Sequence, residues 1–305
     1  MRGSRRRRSR PGAAGAAAAA AAALTVLGAA GGGELASPPG GWRPAALHDL
    51  LPGFAAPCSV QRVARRELSV ESFRAFFRNS QPVIVTGLDN GLMAAASARQ
   101  QLAREYGDVE VTLSSSNQYA QGKVKARLRS YLDRMAPLAA DAKANESLYL
   151  FGPNSELGDA LAPLLDLYEN PYSEAERTLS FGVGASGSGV PFHIHDDGWC
   201  EVLWGKKLWA LAPLNLPPQF QRANESSLAW TRDRFPRLGF AERDALQTCV
   251  IGPGEALYFP SMWWHMTLNV GETVSVSAFN HGGRDPPLLR GAAPRGGGGE
   301  WGKEF

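Results

Sequence analysis

The chain is poor in cysteine, with three in 305 residues, which is too few for a disulfide scaffold and lacks the paired spacing of a zinc ribbon. Cys58, Cys200 and Cys249 are an odd set, so at most one internal disulfide forms and at least one thiol is left free or intermolecular. Histidine is scarce too, five in all. No internal repeat is visible. Basic charge is short in a less obvious way: Arg2, Arg5, Arg6, Arg7, Arg8 and Arg10 precede Gly31 with no acid among them, and without these six the net charge of +3 becomes −3. Nothing that remains forms a basic face for a phosphate backbone, so nucleic acid is not expected as a partner.

Residues 1–30 pair a basic stretch, MRGSRRRRSR, with an alanine-rich apolar run, the pattern of a secretory signal cleaved near Ala30. An uncleaved anchor is the alternative, because a run of about eighteen apolar residues approaches spanning length; only then would a membrane be a partner. Two acceptor triplets, Asn145-Glu-Ser147 and Asn224-Glu-Ser226, agree with glycosylation in that pathway. The expected location is the lumen of the endoplasmic reticulum.

Residues 31–57 are rich in Gly and Pro and are expected to be a linker. Residues 283–305, with four successive glycines, are expected to be a disordered tail. Between them lies one domain, 58–282, long enough to bury a core. Its first half mixes elements: Phe73, Phe76 and Phe77 fall at helical spacing, and Pro82 and the strand Val83 to Val85 follow. Helices are expected around 95–106, 125–135 and 156–168, with strands at 109–113 and 148–151. From Thr178 to Phe279 short apolar runs punctuated by Gly, Pro and Asn predict an all-β barrel or sandwich.

The chemistry-bearing residues lie in that β region. His193 and His195 are two apart, and on a strand alternate side chains share a face, so both imidazoles reach one point. His265, after the pair Trp263 and Trp264, is the candidate third ligand of a metal face open on its other side. A lone histidine is more often a core or surface residue, but His-x-His plus a third is much less often accidental. Trp263 and Trp264 are expected to pack, Asp196 and Asp197 to form a turn, Cys200 to pack, and Lys206 to be solvated. His48 and His281 receive no role.

The segments QPVIVTGL, SGSGVPFHIH, WGKKLWALAP and PGEALYFPSMWWHMTLNVGETVSVSAF resemble the jumonji-C family of the cupin superfamily over most of residues 70 to 280. The resemblance implies a mainly β, α+β fold: a double-stranded β-helix, or cupin jelly roll, with flanking N-terminal helices. It also implies Fe(II) held by a His-x-Asp pair and a later His, with a hairpin lysine binding the distal carboxylate of 2-oxoglutarate. Those roles fall on His193, His265 and Lys207.

This chain departs from the family pattern twice. His195 stands where the family has Asp or Glu, and Val190 stands where many members have a threonine whose hydroxyl meets the cosubstrate carboxylate. The broader cupin pattern is nearly matched by Gly187, His193, His195, Glu201, Gly254, Pro260, His265 and Asn269, although Glu201 is one residue beyond the usual spacing and Met262 replaces a glycine. These features carry three expectations. The chain is a regulator with an altered pocket, non-catalytic or weakly catalytic, that acts by binding other proteins. Alternatively it is an Fe(II) and 2-oxoglutarate oxygenase hydroxylating a protein side chain. In the third, His193, His195 and His265, with or without Glu201, form a metal site independent of 2-oxoglutarate.

Overall fold

The computed structural model describes residues 38–280 apart from residues 56, 116–122, 138–147, 152–154, 175–176 and 221–224. The expected signal, the tail, Asn145, Asn224 and His281 lie outside the described residues. In chain order the elements are α1 (Leu47–Leu50), β1 (Arg62–Ala64), α2 (Val70–Phe76), β2 (Val83–Thr86), α3 (Gly91–Ala96), α4 (Arg99–Tyr106), β3 (Glu110–Ser115), β4 (Lys123–Arg127), α5 (Leu128–Arg134), β5 (Leu148–Tyr149) and α6 (Ser155–Leu165). Then come β6 (Arg177–Gly184), β7 (Gly198–Ala212), β8 (Gln247–Ile251), β9 (Glu255–Phe259) and β10 (Trp264–Asn280).

The helices form where local chemistry starts them and apolar spacing anchors them. Ser69 caps α2, its hydroxyl accepting from the Ser72 N–H at 3.0 Å. Phe73 is then carried into a ring cluster, 5.3 Å from Tyr172, 5.1 Å from Trp199 and 4.9 Å from Tyr258 between centroids. Phe76, on the outer side of the helix, is exposed. The helix expected over 95–106 is two helices broken at Ser97, whose carbonyl accepts the Trp42 indole at 3.2 Å. The helix expected from 125 begins only at Leu128, because Lys123–Arg127 pair with β3 as an edge strand.

The main sheet runs β1-β2-β9-β7-β10-β6, with β8 also on β7. Its two long strands serve both walls of a β-helix. The first part of β7 pairs with β9 and the last part with β8, while β10 pairs along β7 throughout and with β6 over its second half. β7 turns at Gly205, φ 76°, where a Cβ would stand 2.2 Å from the Glu272 carbonyl oxygen. The register also slips here: Lys207 faces Asn269, but Cys200 faces Ser277, one residue out of step. A one-residue slip exchanges the faces of a strand, so Cys200 and Lys207, unlike in parity, both point into the barrel.

Residues 38–55, expected as linker, pack on the domain. Trp42 is 2% exposed and Leu51 1%. Arg43 donates through its backbone N–H and its Nε to Glu272, at 3.0 and 2.7 Å, and Arg99 also pairs with that buried carboxylate. The glycines here allow close approach rather than flexibility: at Gly40, φ 62°, a Cβ would lie 2.8 Å from the Trp204 ring.

Candidate metal centre

His193 and His195 lie on an extended segment that runs beside β10 without forming a regular strand. Only His193 makes a complete bridge, exchanging two 3.0 Å backbone bonds with His265. On either side, Thr267 N–H bonds the Val190 carbonyl and Met262 N–H the His195 carbonyl, both at 2.9 Å. This segment delivers the three imidazoles to one point: one potential ligand atom from each lies within 4.8 Å of the others.

The ring nitrogens are already sorted. The three Nδ1 atoms sit on backbone carbonyls, His193 on Pro191 at 2.8 Å, His195 on Asp196 at 2.7 Å and His265 on Trp263 at 2.8 Å. A carbonyl only accepts, so each Nδ1 carries the proton and each Nε2 keeps a lone pair. Burial pushes all three toward the neutral form, His193 to about 3, with the neighbouring His195 acting the same way. Yet Nε2 of His265 is 3.2 Å from Nε2 of His195. Two lone pairs that close repel unless a cation sits between them. The donor set, its tautomers and its outer carbonyl bonds fit a divalent metal with three imidazole ligands.

Beyond the histidines the barrel interior continues through Val190, Trp209 and Thr267 to Lys207, with Tyr149, Phe151, Cys200, Phe259, Ser277 and Phe279 as walls. Lys207 is 2% exposed and donates to the Tyr149 hydroxyl at 2.9 Å. Burial opposes its charge, the adjoining Tyr149 and Cys200 favour it, and the net direction is upward. Among the described residues no carboxylate pairs with it, so the pocket presents a buried cation to whatever enters. Tyr149 was not singled out from the sequence. The signal was the alternation of Tyr149 and Phe151 on one expected strand, both now pocket walls.

The structure does not bring Glu201 to the three histidines. The register slip turns it away from the imidazoles, into the helical layer, where its carboxylate accepts from Asn90 Nδ2 at 2.8 Å. Burial raises its pKa to about 7. Asp197, expected in a turn, is 2% exposed and accepts from Asn280 Nδ2 at 2.8 Å. Asp196 stays at the surface, so among the described residues no aspartate joins the three histidines.

A cupin-like domain model matches residues 69–281. The chain belongs to the JmjC cupin family. It is 38% identical to JmjC domain-containing protein 8 of Homo sapiens, over 79% of this chain and 89% of that protein. The Rattus norvegicus protein of that name is 36% identical over 80% of this chain and 90% of its own length. A more distant JmjC relative, the bifunctional arginine demethylase and lysyl-hydroxylase psr-1 of Caenorhabditis elegans, is 26% identical over 72% of this chain and 60% of its own. JmjC relatives thus include demethylases and hydroxylases, and the family generally depends on Fe(II) and 2-oxoglutarate.

Proposed function

We propose that this JmjC chain holds Fe(II) at His193, His195 and His265, holds a 2-oxo acid by its far carboxylate at Lys207, and hydroxylates a protein side chain. The observation that carries this reading is the arrangement of the three Nε2 lone pairs, each imidazole fixed by a carbonyl at Nδ1 and two of them 3.2 Å apart. Bound Fe(II) and 2-oxoglutarate would supply the activation of dioxygen. The chain's own residues do the rest. The imidazoles stay neutral and pre-oriented, the aromatic walls Phe151, Phe259 and Phe279 exclude water, and Lys207 with Tyr149 offers a buried cation and a hydroxyl to a carboxylate.

A second reading is supported by the donor set itself. With imidazole in place of the family carboxylate, the site bears one negative charge less, which alters both redox tuning and the balance with a dianionic ligand. A non-catalytic regulator that acts on partner proteins would keep such a pocket as a scaffold. For either reading the lumen of the endoplasmic reticulum is the proposed location. The charged and apolar N-terminal run, the two acceptor triplets and the disulfide between Cys58 and Cys249 support an oxidising compartment.

The test is an anaerobic titration with Fe(II) and 2-oxoglutarate, following the visible charge-transfer band of a chelated 2-oxo acid, paired with succinate release in air. A saturable band lost in His265→Ala, with succinate release, supports the oxygenase. A band without succinate supports the regulator. Metal retention without any band points to a three-histidine site independent of 2-oxoglutarate.

A further inference from the structure

The pocket face of the β7–β10 ladder is built in rungs. His265 faces Leu211, Thr267 faces Trp209, and Asn269 faces Lys207. Facing residues of an antiparallel pair share a side of the sheet, and rungs two residues apart are separated by about 7 Å. The Thr267–Trp209 rung therefore lies midway between a metal ligand and the buried lysine, the span a short 2-oxo acid must cross.

Both side chains of that middle rung have a donor to spare. Thr267 is 6% exposed and Trp209 3%. The Thr267 oxygen accepts from the Val190 N–H at 3.1 Å, and among the described residues its own proton meets no acceptor. The Trp209 indole N–H is buried and has no partner among the described residues. Such a donor is expensive to leave unmade inside a protein. Val190, the residue that brings no hydroxyl of its own, lies against Thr267. The ladder thus returns, from the opposite strand, the group missing at position 190.

We propose that Thr267 supplies the ligand-binding hydroxyl of this pocket, donating with Lys207 to the metal-remote carboxylate of a dicarboxylic 2-oxo acid, with the Trp209 indole as a second donor. This rests on the metal and oxo-acid reading above. It makes Thr267 a specificity residue: it selects ligands with a second carboxylate over those without.

The experiment measures the dissociation constants of 2-oxoglutarate and of 2-oxobutyrate, which lacks the far carboxylate, from the anaerobic Fe(II) charge-transfer band. Thr267→Val, isosteric but without the hydroxyl, is expected to weaken 2-oxoglutarate about tenfold or more and to leave 2-oxobutyrate within about twofold of wild type. Thr267→Ser keeps wild-type affinity, and adding Val190→Thr to Thr267→Val restores most of it. Equal weakening of both oxo acids would mean that Thr267 only supports the fold through Val190, and unchanged 2-oxoglutarate affinity would mean that its hydroxyl is not used; either overturns the inference. If wild type retains iron but forms no band with either acid, the oxo-acid reading falls and takes this one with it. That failure is told apart by the wild-type protein alone.

Discussion

Nε2 of His195 and Nε2 of His265 face each other at 3.2 Å although each Nδ1 is held as a donor by a carbonyl. Two lone pairs at that distance repel, and a divalent ion between them relieves the repulsion. Metal should stabilise the chain by mass action, by about 2.7 kcal/mol at a free concentration one hundred times Kd. Thermal unfolding with and without Co(II) checks this: Tm rises for wild type and stays flat for His265→Ala and His193→Ala.

Lys207 is a buried cation that serves no structural ion pair among the described residues. Lys207→Met keeps the apolar stem but removes the charge and the 2.9 Å bond to the Tyr149 hydroxyl. The fold holds the lysine pKa above its ordinary value and so favours the cation, and the ligand-free protein should lose stability, on the order of 1 kcal/mol. The same change should abolish 2-oxoglutarate binding while metal is retained. Urea denaturation read beside the anaerobic titration checks both halves. A variant that gains stability would mean that burying the charge costs more than the Tyr149 bond returns.

Glu201 predicts a pH effect on the face of β7 turned away from the imidazoles. Burial raises its carboxyl pKa from 4.5 to about 7, so between those values the folded chain keeps a proton that the unfolded chain has released. This group's contribution is present at low pH and is lost as pH rises through 7, about 3 kcal/mol in all. Stability measured from pH 4.5 to 8 should show Glu201→Gln gaining on wild type as pH rises. Parallel curves would contradict it.

Trp42 predicts that the N-terminal strap is part of the fold. It is 2% exposed, with its indole on the Ser97 carbonyl, and large-to-small changes at such sites cost about 3–5 kcal/mol. Trp42→Ala should show that loss in chemical denaturation. A chain beginning at Cys58 should lose at least as much.

The strap illustrates where sequence reasoning stopped. Glycine and proline at 38–53 suggested flexibility, but Gly40 is required by the nearness of Trp204, a contact between segments far apart in the chain. The histidine site was legible because its signal is local: a two-residue spacing and one later histidine. Its extended segment carries only one full bridge, so the expected strand there was too regular. Glu201 was offered on the cupin spacing alone, one residue out, and that spacing does not show which face of β7 it occupies: the ladder puts Cys200 on the pocket side and Glu201 on Asn90. Tyr149 was passed over although its two-residue step to Phe151 was visible. Thr267 carried no composition signal and became meaningful only when the ladder set it against Val190 and Trp209.

The bond between Cys58 and Cys249 spans 191 positions and closes a covalent ring that contains Tyr149, His193, His195 and Lys207 but leaves His265 just outside. A single backbone cut anywhere inside that ring leaves one molecule, not two. The nicked protein should run as one species on a non-reducing gel and separate only after reductant is added. Proteolytic fragments of this chain seen under reducing conditions alone are therefore no sign that the pocket has come apart.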